Sequence, residues 1–177
     1  MKNKLNIGCG NDIKEGYINL DISKLPGVDV VCDIENSFLP FENNIFEHII
    51  CYDILEHVDY PKVLKEIYRV LKVDGIVEIR VPHFTSSNNF IDPTHKKMFS
   101  FRTFHFFVNN TRYNRNYYFD FQFRELIYSK ITFINKNPLN WPFILWVNIN
   151  NTTKKIYEET FFRSIAPALN VEVQLKK

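Results

Sequence analysis

Leu5-Asn6-Ile7-Gly8-Cys9-Gly10, almost at the start of the chain, and Asn19-Leu20-Asp21-Ile22 soon after it constrain the fold more than any other feature. An apolar run ending in Gly-x-Gly, then a second apolar run ending in a carboxylate, is what a nucleotide-type ligand requires. Glycines let the backbone approach a ligand where a Cβ would collide. An acidic side chain at the tip of the neighbouring strand can accept two hydrogen bonds from ribose hydroxyls. Gly-x-Gly also occurs in ordinary turns, so its weight depends on the residues that follow.

Those residues alternate strand and helix signals. Short apolar, often β-branched runs predict strands near 4–8, 17–21, 28–32, 47–52 and 75–81. Between the last two, Val63, Leu64, Ile67, Val70 and Leu71 recur at helical spacing and predict an amphipathic helix from Pro61 to Leu71, with Lys62, Lys65, Glu66, Arg69 and Lys72 facing water. Asp59-Tyr60-Pro61 suits its start, and Asp74-Gly75 the turn into the next strand. This alternation predicts an α/β layer architecture with a mostly parallel sheet. Only Asn11 to Gly16 separate the first two strands, fewer than a parallel crossover normally takes, so a helix of one turn is expected there.

After Pro82 the pattern changes to a Phe-, Tyr-, Asn- and Arg-rich segment, with a helix predicted from Ser100 to Val108. Strands are predicted over Ile127–Asn135 and Val171–Leu175, and a helix over Lys154–Ile165. With 177 residues and no repeat or linker, one domain over 1–177 is expected, carrying residues 84–126 as an acceptor-side insertion. The formal net charge of +2 makes a nucleic-acid partner unlikely to be required. Three cysteines, each near a strand end, read as reduced thiols in a cytoplasmic protein. The start shows no signal-peptide pattern, and every long apolar stretch is broken by Asn, Pro or charge, so no membrane span is expected.

In order along the chain stand Leu5–Gly10, Asp21, Asp33, Leu39-Pro40-Phe41-Glu42-Asn43-Asn44-Ile45-Phe46-Glu47, Leu55-Glu56-His57 and Glu66-Ile67-Tyr68-Arg69-Val70-Leu71-Lys72. Together they resemble class I S-adenosylmethionine-dependent methyltransferases of the "type 11" group, over about residues 4–83. The resemblance implies a Rossmann-like, doubly wound, mostly parallel seven-stranded sheet whose last strand is antiparallel, here with the aromatic insertion after the fifth strand. It implies S-adenosylmethionine as cofactor, with Gly8, Cys9 and Gly10 under its methionine part, Asp21 and Ile22 at the ribose, and Asp33 and Ile34 at the adenine. Cys51, Tyr52 and Asp53 would border the reactive methyl. Asn6 stands where the family often has an acidic residue, and Asn11 where it often has glycine. The family's leading helices do not precede Lys4, so the aromatic insertion or a second subunit is expected to close the site. Asp92-Pro93-Thr94-His95, and Tyr157-Glu158 with Pro167, resemble a subset found among sugar and cell-surface polymer enzymes.

Methyl transfer is an in-line displacement in which the enzyme mainly holds nucleophile and methyl in an attack geometry. A hydroxyl acceptor must also lose its proton, and histidine is the usual base. His83 and His95 follow the fifth strand, where ligand-facing loops gather, and are the candidate bases. His57 and Asp53 have helical i, i+4 spacing and are expected to pair structurally. A metal site from Asp92, His95 and His83 is conceivable, but no tight Cys/His ligand spacing supports it, so no metal site is expected. Arg112, Tyr113, Arg115, Tyr117 and Tyr118 could stack bases or sugars, clamp a phosphate, or cover the core. The expected function is methyl transfer to a small or glycan-linked acceptor at oxygen. The rival readings are a catalytically silent binding module and a nucleic-acid methyltransferase. The phenylalanines of the insertion could also bury themselves in a homodimer.

Overall fold

A computed structural model describes residues 2–113 and 117–177; Arg115 of the Arg/Tyr cluster lies outside the described residues. Seven strands form one sheet: β1 Lys4–Ile7, β2 Ile18–Asp21, β3 Val30–Val31, β4 Phe46–Tyr52, β5 Leu71–Pro82, β6 Glu125–Ile131 and β7 Asn170–Lys176. Their order is β3-β2-β1-β4-β5-β7-β6. The first five run parallel, and β7 is antiparallel to both β5 and β6. This is the expected doubly wound order. It reverses between β1 and β4, so a crevice opens at the carboxyl ends of those two strands.

Strand periodicity sorts the sheet into two unlike faces. Leu5, Ile7, Leu20, Ile49, Cys51, Val77, Ile79, Val81, Val171, Val173 and Leu175 are buried in one core cluster. The helix α1 (Tyr60–Val70) supplies Val63, Leu64, Ile67 and Val70 to it. The aromatic segment packs there as well: Tyr60 meets Phe99 edge-on with ring centroids 5.3 Å apart, and Phe107 sits 4.5 Å from Phe119. The intervening strand positions carry Asn6, Asn19, His48, Tyr52, Glu78, Arg80, Glu172 and Gln174. Four of them are linked across strands. His48 and Glu78 meet at 3.1 Å, the Tyr52 hydroxyl donates to Glu78 at 2.6 Å, and the Gln174 amide donates to the same carboxylate at 3.2 Å. Parallel sheets are usually apolar on both faces; this one alternates.

Many of the phenylalanines between residues 84 and 126 are taken up by the chain's own core. Phe99, Phe104, Phe107, Phe121 and Phe123 are all buried. The predicted helix over Ser100–Val108 is a tighter 3-10 turn, Thr103–Phe107. Phe104 and Phe107 are three apart, the repeat of a 3-10 helix, so the tighter winding puts both rings on one face. A second cluster gathers Phe101, Ile131, Phe133, Val147 and Tyr157, using α2 (Trp141–Val147) and α3 (Asn151–Glu159). The latter is shorter than the predicted Lys154–Ile165, which breaks at Thr160 before a further turn, Phe162–Ile165.

The one-turn helix expected between β1 and β2 is replaced by turns. Two buried amides take over the hydrogen bonding that a helix would supply. Asn6 Nδ2 donates to the Asp12 carbonyl at 2.9 Å and to Asn19 Oδ1 at 3.0 Å. Asn19 Oδ1 also accepts from Lys14 N–H at 2.9 Å, while its Nδ2 donates to the Lys14 carbonyl at 3.1 Å.

Glu66 and Arg69 were expected to face water; instead they lace the stretch before β4 to α1. Arg69 donates to the carbonyls of Leu39 and Phe41 at 2.9 and 2.8 Å, and Glu66 accepts the Leu39 N–H at 3.0 Å. Arg69→Ala should therefore destabilise the protein by about 1–2 kcal/mol in urea unfolding. A change below about 0.5 kcal/mol, the scale of an ordinary surface substitution, would show that these bonds are dispensable.

Candidate active site

The crevice at the strand tips holds two neighbouring cavities. The first, about 250 Å³, is walled by Gly8, Leu20, Asp21, Ile22, Cys32, Asp33, Ile34, Glu35, Ile54, His57 and Val58. It is largely apolar, with carboxylates at one side. The second, about 410 Å³, is polar, with Asp53, Glu56, His57, Arg80, Asn88, Asp92, His95 and Asn170 in its wall. His57 belongs to both.

The backbone around β1 is shaped for close approach. Gly8 and Gly10 have φ of +66° and +48°, values that side chains rarely tolerate. A Cβ on Gly8 would lie 2.0 Å from Ile54 Cδ1, whereas one on Gly10 would meet nothing within 4 Å. Gly8 thus gives room to Ile54, and Gly10 leaves an open backbone edge. The Asp21 carboxylate receives Gly10 N–H on Oδ2 at 2.8 Å and Ser23 N–H on Oδ1 at 2.9 Å. Each oxygen keeps a lone pair for a hydroxyl.

Of the predicted cofactor residues, Gly8, Asp21, Ile22, Asp33 and Ile34 wall the first cavity and Asp53 the second. Asp33 also holds its own turn, accepting the Asn36 side-chain amide above all and then the N–H groups of Glu35 and Asn36, which together keep its carboxyl below the usual range. Cys9, Gly10, Cys51 and Tyr52 wall neither cavity. Cys51 is fully buried, and burial pushes its thiol up; Tyr52 points to the polar sheet face, where burial and Glu78 raise its phenol. Asp53, at a φ of +56°, ion-pairs with Arg80, so the expected Asp53–His57 pair does not form.

The two candidate bases part company. His83 is wholly buried: its Nδ1 accepts Thr85 N–H at 3.2 Å, and its Nε2 meets Glu158 at 3.1 Å. His95 stands in the wall of the second cavity, its ring edge-on to His57 with centroids 4.7 Å apart. Burial, then the neighbouring His57, lower its pKa. Beneath both lies Glu56, 1 % exposed, whose carboxyl burial pushes up to about 8. The backbone N–H groups of Lys96 and Lys97 both reach the Glu56 carbonyl, tying residues 92–97 over the cluster.

Sequence reasoning missed Glu56, although Leu55-Glu56-His57 was among the motif pieces. Its signal in the sequence was an acidic residue set directly after Ile54-Leu55 and followed by His57-Val58.

Residues 4–79 match the family model described as Methyltransferase domain. The uncharacterized protein MJ0638 of Methanocaldococcus jannaschii is 33% identical over an aligned region comprising 40% of this chain and 36% of that protein, so the similarity spans about a third of the relative. Among solved structures, a SAM-dependent methyltransferase from Archaeoglobus fulgidus superposes with a TM-score of 0.62 at 22% identity, over 98% of this chain and 85% of that one. The YcgJ protein of Bacillus subtilis gives 0.59 at 19%, over 98% and 91%. A geranyl diphosphate methyltransferase complexed with SAM gives 0.57 at 15%, over 98% and 77%. No helix among the described residues is long and apolar enough to cross a membrane.

Proposed function

We propose that this chain is a class I S-adenosylmethionine-dependent methyltransferase, a reading supported by its fold and by the match of residues 4–79, and that it methylates a hydroxyl of a small or glycan-linked acceptor. The adjoining of an apolar cavity and a polar one at His57 is the observation that carries this reading. The first cavity fits the donor's nucleoside. Ile22, Ile34 and Val58 offer apolar surface to a flat base, and Asp21 has free lone pairs for ribose hydroxyls. The open edge at Gly10 suits the amino-acid end. Bound there, S-adenosylmethionine supplies an electrophilic methyl group.

The chain's own residues position the acceptor and receive its proton. Asp53, Asp92, Asn88 and Asn170 give the second cavity acceptors and donors for a hydroxyl-rich molecule. In this reading His95 takes the hydroxyl proton, which its position in the cavity wall beside His57 and the enclosure of His83 support. We assign His83 a positioning role through Glu158. The free thiols Cys9, Cys32 and Cys51 support work in a reducing compartment such as the cytoplasm.

Calorimetry with S-adenosylhomocysteine, followed by an assay of its formation with hydroxylated sugars, tests the proposal. Binding with turnover on such acceptors is expected. A folded sample that ignores the nucleoside at millimolar concentration would end the reading; binding without turnover on any acceptor would favour a silent module.

A further inference from the structure

The cluster at the base of the second cavity has a geometry that hydrogen bonding does not account for. Glu56, His57 and His95 each offer one ligand atom, and these three atoms lie within 4.8 Å of one another. His95 Nε2 stands 3.9 Å from Glu56 Oε1 and 3.8 Å from Asp92 Oδ2. Both separations are too long for hydrogen bonds. The Glu56–His95 separation suits two atoms sharing one ion, since donors bound at ~2.1 Å lie about 3–4 Å apart. Glu56 Oε2 is buried without a hydrogen-bond partner, on a side chain only 1 % exposed. Orphaned buried polar atoms are costly and call for an explanation.

The state of His57 follows from its neighbours. Thr94 Oγ1 lies 2.6 Å from Asp92 Oδ1 and 2.8 Å from His57 Nδ1. A hydroxyl has one proton, and an ionised carboxylate only accepts, so Thr94 donates to Asp92 and accepts from His57 Nδ1–H. That leaves the lone pair on His57 Nε2. A carboxylate–hydroxyl–imidazole chain of this kind is the outer support that fixes the tautomer of a metal-bound histidine.

We propose that Glu56, His57 and His95 bind one divalent transition-metal ion, Asp92 and Thr94 forming the outer support. Two imidazoles and a carboxylate favour zinc, cobalt or iron over magnesium. Three protein ligands leave a coordination position for a small molecule, and His57 and His95 both wall the second cavity. The acceptor class narrows to hydroxyls that can ligate the ion, which lowers their pKa. His95 then acts as ligand in place of base. This last consequence rests on reading that cavity as the acceptor site; the ion site itself does not.

The test is titration of chelator-stripped, full-length protein with Zn²⁺ and, for its visible spectrum, Co²⁺, in the absence of S-adenosylmethionine and of any acceptor. One ion per chain should bind at micromolar concentration, with millimolar Mg²⁺ failing to compete. His95→Ala and Glu56→Gln should each weaken binding at least tenfold. Thr94→Ala, at an exposed residue whose loss leaves the core intact, should weaken it about tenfold and serves if the other variants do not fold. No binding at millimolar Zn²⁺, or equal affinity in wild type and in every folded variant, would overturn the site. Ion binding without affinity for S-adenosylhomocysteine would keep the site and remove the methyltransfer reading; the opposite result would do the reverse.

Discussion

Asp21→Ala should lower affinity for S-adenosylhomocysteine about 100-fold while leaving the protein folded. The carboxylate anchors Gly10 N–H and Ser23 N–H and retains lone pairs towards the first cavity. Hydrogen bonds to charged groups contribute about 1.5–3 kcal/mol each, so losing two from ribose amounts to about 3 kcal/mol, or roughly two decades. Asp21 is only partly buried, at the end of its strand, so the two orphaned N–H groups can turn to water. Calorimetry of the variant alongside its melting curve separates binding from folding. A loss of less than about fivefold, worth ~1 kcal/mol, would mean that the nucleoside lies elsewhere.

Glu158→Ala should have the largest effect on stability, about 3–5 kcal/mol. One buried carboxylate on α3 is bonded three times: Oε1 to His83 Nε2 at 3.1 Å and to Phe101 N–H at 2.9 Å, and Oε2 to the Ser100 hydroxyl at 2.6 Å. It joins the end of β5, the start of the aromatic segment and the C-terminal helices. Alanine leaves the buried Nε2 of His83 and the Phe101 N–H without partners. Glu158→Gln should cost less than half as much, because the amide oxygen can serve His83 and Phe101 while its NH₂ donates to a rotated Ser100 hydroxyl. Guanidinium unfolding of the two variants measures this. Equal losses would indicate that charge, rather than hydrogen-bond geometry, holds the junction.

The strands and the places of Gly8 and Asp21 were legible because they rest on local spacing: glycines at a turn, a carboxylate at a strand tip, apolar runs of strand length. Helix α1 was legible for the same reason, its apolar stripe being continuous from Val63 to Val70. The strand order and the places of Ile22, Asp33 and Ile34 at the first cavity were legible only through the family resemblance. What could not be read depends on contacts distant in sequence. Glu66 and Arg69 look like a solvated i, i+3 pair until Leu39 and Phe41 are brought against them. Likewise, His83 and His95 were equivalent candidates in the sequence. Only the return of α3 encloses the first, while residues 92–97 carry the second across to Glu56. The preference of Phe104 and Phe107 for a 3-10 turn was present in their spacing but was outweighed by the general expectation of an α-helix.

The amide pair beneath the glycine turn has an evolutionary corollary. Asn6 and Asn19 bond to each other as well as to the loop they support, so replacing one strands the other in a buried setting. Neither position can drift alone without passing through a defective intermediate, whereas a compensating double exchange can be nearly neutral. A lineage that shortened this crossover would be expected to keep the two asparagines as a unit or lose them together.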